Sequence, residues 1–98
     1  MVQCLSRDRI SEVLSKHSEW SYDNERQAFF RALRLSTFSE TFALMTRIAM
    51  AAEKADHHPE WSNVYNRLDI WLTTHDAAGV SERDVAMIRV IDEMISQN

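Results

Sequence analysis

The stretch AAEKADHHPEWSNVYNRLDIWLTT, residues 51–74, changes its hydrophobic period part-way along, and that change decides the fold. Leading into it, Phe38, Phe42, Met45, Ile48, Ala49 and Ala52 recur at intervals of three and four, the apolar stripe of a helix. Beyond Trp61 the period becomes two. Leu68, Ile70 and Leu72 fall on one face, while Asp69, Trp71 and Thr73 fall on the other, as in a half-buried strand. Pro59, the chain's one proline, pushes His58 into extended backbone, so the helix ends near Asp56 or His57. Tyr65-Asn66 is a natural place for a tight turn, which divides the segment after the proline into two strands.

The helix begins upstream at Thr37. Thr37, Phe38, Ser39 and Glu40 have the spacing of a capping box, in which a hydroxyl takes the third amide and a carboxylate reaches back. Ser81, Glu82, Arg83 and Asp84 repeat that spacing after Gly79 closes a loop, and Val85, Ile88, Ile91, Met94 and Ile95 give the last helix an inner face. Near the start, Ile10, Val13 and Leu14 predict a short amphipathic helix from Arg7 to Lys16. Between the first two helices, Trp20 and Tyr22, the turn-prone Asp23-Asn24 and residues 26–35 read as a hairpin. Helix propensity alone would also allow residues 26–35 to be helical. The order is α-β-β-α-β-β-α, an α+β domain with helices on one face of a four-stranded antiparallel sheet, and residues 1–98 read as a single domain.

Composition narrows the function. The chain has 98 residues, 45% hydrophobic and 27% charged, the balance of a globular protein. A formal net charge of -4 argues against a protein whose main task is gripping nucleic acid, which needs a basic face. The lone cysteine, Cys4, has no internal disulfide partner, which suits a reducing, cytoplasmic setting. The first ten residues carry two arginines and an aspartate without an apolar run, unlike a signal peptide, and no run of eighteen apolar residues points to a membrane.

Histidine carries the chemistry, because near neutral pH imidazole both gives and takes a proton. His57 and His58 leave the helix end in different directions and can bracket one ligand, and His75 follows the last strand. A histidine pair at a helix end is, however, more often a solvated cap than a catalytic pair. A zinc site from His57, His58 and His75 is a weaker alternative, because adjacent histidines rarely converge on one ion and no cysteine lies nearby. His17 reads as surface, and Trp20, Trp61 and Trp71 as core or interface. Asp84 is accounted for as a capping-box acid, and Glu53, one turn before His57, as a solvent-facing group or a partner for a nearby base.

Glu53, His57-His58-Pro59, Tyr65, His75 and Asp84 together stand in the spacing E-x3-H-H-P-x5-Y-x9-H-x8-D. This resembles the signature of the pterin-4a-carbinolamine dehydratase family, also called the dimerization-cofactor family. The likeness is dense over residues 38–92, echoes at Trp20 and Phe29-Phe30, and gives nothing usable in the first fifteen residues. Thr73 stands where some relatives have serine and keeps the hydroxyl.

The resemblance implies a four-stranded antiparallel sheet with helices on one face, assembled into homodimers and often homotetramers. It implies loss of water from a 4a-hydroxytetrahydropterin, the product released by aromatic amino acid hydroxylases, without metal or cofactor. By position, Asp56, His57, His58, Thr73, Thr74, His75 and Asp76 would line the pterin pocket. His57 and His75 would transfer protons, and His58 would bond the ring and share the acid role. Glu53, Pro59, Tyr65, Asp84 and Trp20 would support them. Some members of the family also stabilise a dimeric transcription factor through a helix face, so the second helix is a candidate protein-binding surface. A different pterin-maintenance role and a structural module with a spent site are further alternatives, the last disfavoured because every motif histidine is present.

Overall fold

The structure, a computed structural model, describes residues 2–97. Its elements run α1 (Arg7–Lys16), β1 (Ser21–Asp23), β2 (Ala28–Arg34), α2 (Phe38–Ala55), β3 (Glu60–Val64), β4 (Arg67–Leu72), a 3-10 turn (His75–Ala77) and α3 (Glu82–Ser96). The strands form one antiparallel sheet in the order β1-β2-β4-β3. The α+β order expected from the sequence is the one observed, and residues 28–34 are a strand despite their helix propensity.

Strand alternation decides what faces the helices. Phe29 on β2 and Leu68, Ile70 and Leu72 on β4 are fully buried against Ile48 and Ala52 of α2 and Val85, Ile88 and Ile91 of α3. Each such side chain contributes about 1.5–3 kcal/mol by leaving water. The alternate residues Phe30, Trp71 and Glu60 sit side by side on the opposite face, where Glu60 is paired in register with Trp71 and Trp71 with Phe30.

The apolar stripe of α2 lies differently from the one the sequence suggested. Thr41, Leu44, Ile48 and Ala52 are the buried positions, whereas Phe38, Phe42 and Ala49 are exposed. Helical spacing fits two neighbouring faces of this helix, and Thr41 takes the inner one because its hydroxyl donates to the Thr37 carbonyl at 2.8 Å. The Thr37 hydroxyl accepts the Glu40 amide at 3.1 Å, the hydroxyl half of the expected box. The box at Ser81 is complete in both directions.

The end of α2 also has a cause other than the one expected. Asp56 adopts left-handed backbone (φ 52°), and its amide and that of His57 turn back to carbonyls of the last turn, His57 to Ala52 at 3.1 Å. The helix therefore ends at Ala55, four residues before Pro59. Aspartate tolerates this conformation better than most residues.

His17 is not simple surface. It caps the end of α1, its side chain is 19% exposed, and Nδ1 lies 3.0 Å from Asp92 on α3. Asp92 also accepts from the Trp20 indole at 2.8 Å and from Arg31 at 2.7 Å. Trp20, expected to support the site, is a buried core residue bonded to this second polar cluster.

Candidate active site

Four chain segments meet at one end of the sheet: the exit of α2, the start of β3, the residues after β4 and the first turn of α3. Between them lies a cleft of about 420 Å³ lined by Asp56, His57, His58, Pro59, Glu60, Thr73, Thr74, His75, Asp76 and Arg83. All seven residues expected to line a pocket share this one. A larger hollow of about 730 Å³ lies at the opposite end of β2, among Leu33, Leu35, Ala43 and Leu44, and holds no histidine.

His57 is the most tightly held of the three cleft histidines. Its Nε2 lies 2.5 Å from Oδ1 of Asp84, with its side chain 11% exposed and that of Asp84 fully buried. The other carboxylate oxygen of Asp84 accepts the Ser81 amide at 2.9 Å and the Thr74 hydroxyl at 2.8 Å. Since Thr74 gives its proton to Asp84, the 2.7 Å contact between the Thr74 and Ser81 hydroxyls has Ser81 as donor. Ser81 in turn accepts the Arg83 amide at 3.2 Å. Every buried side-chain polar atom of this set is matched, and the Asp84 carboxylate is engaged through both oxygens. An acceptor carboxylate at Nε2 leaves Nδ1 of His57 for a ligand.

Capping a helix and orienting an imidazole are thus done by one aspartate. Its role as a cap is readable from residues 81–84; its contact with His57 is not, because it joins elements far apart in the chain.

His58 pairs through Nε2 with Glu53 at 2.8 Å. Both side chains are more than half exposed, so the pair adds only about 0–1 kcal/mol to stability. His75 opens the 3-10 turn, is 90% exposed, and has Glu60 as its nearest carboxylate, 3.9 Å from Nε2. That turn is pinned by its neighbours. The Thr74 amide donates to the Gly79 carbonyl at 2.8 Å, and the Thr73 hydroxyl donates to the Gln27 carbonyl at 2.9 Å.

Gly79 is required twice over. Its φ of 159° is rare for a residue with a side chain, and a Cβ there would stand 3.0 Å from the Cys4 sulfur.

Tyr65 is not brought to the cleft. It is exposed in the β3–β4 turn with φ 52°, at the far end of β3 from Glu60, on the order of 15 Å along the strand. Pro59 does line the cleft, and it stands just before an edge strand, where its missing amide is tolerated. Two lining residues, Glu60 and Arg83, escaped the sequence reading. Glu60 adjoins the motif histidines directly, and Arg83 is a cation in a helix's first turn, where the dipole disfavours it. Among the described residues, no three His, Cys, Asp or Glu side chains are grouped to hold a metal ion, and no helix is long and apolar enough to cross a membrane.

This fold has close counterparts. The family described as pterin 4 alpha carbinolamine dehydratase matches residues 3–94, and the chain belongs to it. The match takes in α1, where the sequence reading found no likeness. A protein of Rhizorhabdus wittichii, provisionally named a pterin-4-alpha-carbinolamine dehydratase, is 50% identical over 95% of this chain and 96% of its own. One of Bordetella avium with the same provisional name is 48% identical over 99% of this chain and 90% of its own. The crystal structure of a Brucella melitensis protein described as a transcriptional coactivator/pterin dehydratase superposes with a TM-score of 0.90. It is 38% identical and covers 94% of this chain and 98% of that one.

Proposed function

We propose that the chain dehydrates a 4a-hydroxytetrahydropterin, serving to recycle the tetrahydropterin used by aromatic amino acid hydroxylases in the cytoplasm. The observation that carries this reading is the His57–Asp84 pair at the wall of a cleft that also holds His58 and His75.

The reaction needs a proton given and a proton taken. Hydroxide leaves C4a poorly, so an acid protonates the oxygen as the C4a–O bond breaks and the pair departs with it as water. A ring-nitrogen lone pair forms the new C=N bond, and a base removes the ring N–H proton, giving the quinonoid dihydropterin. His57 and His75 are assigned these transfers, each contributing about 10²–10⁴-fold. His58 bonds the pterin ring and shares the acid role. Asp56, Thr73, Thr74 and Asp76 complete the binding surface, although Thr74 does so from a buried position with its hydroxyl already engaged by Asp84. The test is stopped-flow dehydration of the 4a-carbinolamine with purified protein. Acceleration over buffer alone is expected; equal rates would refute the assignment.

A second reading, a protein-binding dimerization cofactor, is favoured by the outer face of α2. Phe38, Phe42 and Met50 are 47%, 56% and 70% exposed, and the two phenyl rings lie 5.8 Å apart as one apolar patch. The same face would serve a homotetramer. Sizing the pure protein together with a pulldown from native extract separates the two uses: a bare tetramer with full dehydratase activity leaves the enzyme alone.

A further inference from the structure

Each cleft histidine faces its own carboxylate, but the three pairs are not equally closed. Asp84 meets His57 at 2.5 Å and Glu53 meets His58 at 2.8 Å, while Glu60 stands 3.9 Å from His75. Glu60 has a cation on its other side. Arg26, in the β1–β2 turn, lies 3.6 Å from the second Glu60 oxygen. The Arg26 guanidinium is stacked 3.8 Å from the centroid of the Trp71 ring, the residue opposite Glu60 in the sheet. Trp71 is fixed in turn by its indole N–H on Asp23 at 3.1 Å and by Phe30, 5.0 Å away centroid to centroid. The base of this arm is packed, and its tip is a carboxylate facing an otherwise exposed imidazole.

We propose that Glu60 is the positioning residue of His75, and that Arg26, seated on Trp71, sets its reach. A separation of 3.9 Å is outside hydrogen-bond range, and a catalytic contact that is loose in the free protein commonly tightens when ligand is bound. Closing it needs a side-chain movement of only about 1 Å to reach normal contact. Glu60 then accepts from Nε2 and leaves Nδ1 of His75 for the ligand, the same division of the ring that Asp84 imposes on His57.

The proposal rests on the dehydratase reading for its kinetic consequence but not for its structural one, so the test has two arms. In the kinetic arm, Glu60→Gln keeps size and burial and is expected to lower kcat roughly tenfold with KM within about twofold, the scale of losing one hydrogen bond to a charged group. Arg26→Ala gives a smaller loss in kcat. In a His75→Ala background neither change has further effect, because both act through His75. In the spectroscopic arm, the ring nitrogens of His75 are followed by NMR without and with a dihydropterin, and Glu60→Gln shifts Nε2 most in the pterin-bound protein while leaving the His57 ring unchanged.

If the wild-type protein dehydrates and Glu60→Gln is silent, or its loss adds fully to that of His75→Ala, the proposal is overturned while the enzyme assignment survives. A His75 ring indifferent to Glu60→Gln overturns it as well. If the wild-type protein fails to dehydrate and the His75 ring still responds, the pairing stands and the assigned reaction falls.

Discussion

His57 and Asp84 stand 2.5 Å apart although 27 residues and a hairpin separate them in the chain. The contact exists because α2 ends where α3 begins, and the backbone amide of Ser81 holds the same carboxylate that the imidazole meets. Fold and candidate chemistry therefore share one side chain.

Removing that carboxylate should damage both. Asp84→Ala deletes a fully buried acceptor serving Ser81, Thr74 and His57, so a loss of about 3–5 kcal/mol is expected in urea unfolding. Ser81→Ala, which removes chiefly the hydroxyl of the cap, costs about 1 kcal/mol. Equal losses would mean that Asp84 acts as a cap alone.

Glu53 and His58 provide the contrast. Their pair is exposed, so Glu53→Gln should leave the unfolding free energy within about 1 kcal/mol of wild type. Any effect on dehydration then reports on His58 at the cleft and not on folding. A large loss of stability would contradict the exposed placement of the pair.

Acid should loosen the β1–β2 turn. The Asp23 carboxyl is held below its ordinary value, first by the Arg26 backbone amide; desolvation opposes this as the next largest effect, and the Trp71 indole and the Glu25 amide add to the lowering. Hydrogen bonding to Arg9 lowers Glu82 in the same way. Folded values below unfolded ones mean stability that is complete above the unfolded carboxylate value of about 4 and is lost as pH falls through the folded value. Urea midpoints measured from pH 6 downward should therefore drop below about pH 4, and less steeply in Asp23→Asn. An unchanged slope in that variant would remove Asp23 from the account.

Gly79 and Cys4 should couple. Gly79→Ala meets both an unfavourable φ and the Cys4 sulfur at 3.0 Å, so a cost above about 1 kcal/mol is expected. Cys4→Ala clears the space without relaxing the backbone, and in that background the cost of Gly79→Ala should shrink but not vanish. Additive losses in the unfolding free energy of the double variant would show that the steric part is negligible.

Local chemistry made much of this readable. The Ser81 box, the bounds of α1 and the alternation of Leu68, Ile70 and Leu72 each follow from neighbours a few residues apart, and each stands as the pattern required. The misreadings arose where two local solutions were nearly equal. Phe38 and Phe42 suit an inner face as well as Thr41 and Leu44 do, and only packing on the sheet chooses. The end of α2 looked like the work of Pro59 because a proline is visible in a sequence and the left-handed backbone of Asp56 is not. Tyr65 lies in the β3–β4 turn and Trp20 in the core, and their distance from the cleft is set by folding contacts that no local pattern records.

The rate of 4a-carbinolamine dehydration, measured by stopped flow for the wild type, His57→Ala and His75→Ala at equal folded concentration, tests the central claim most directly. The wild-type protein should exceed the uncatalysed rate, and each variant should lose about 10²–10⁴-fold while unfolding cooperatively. A wild-type protein no faster than buffer, or two folded variants that match it, would contradict the account.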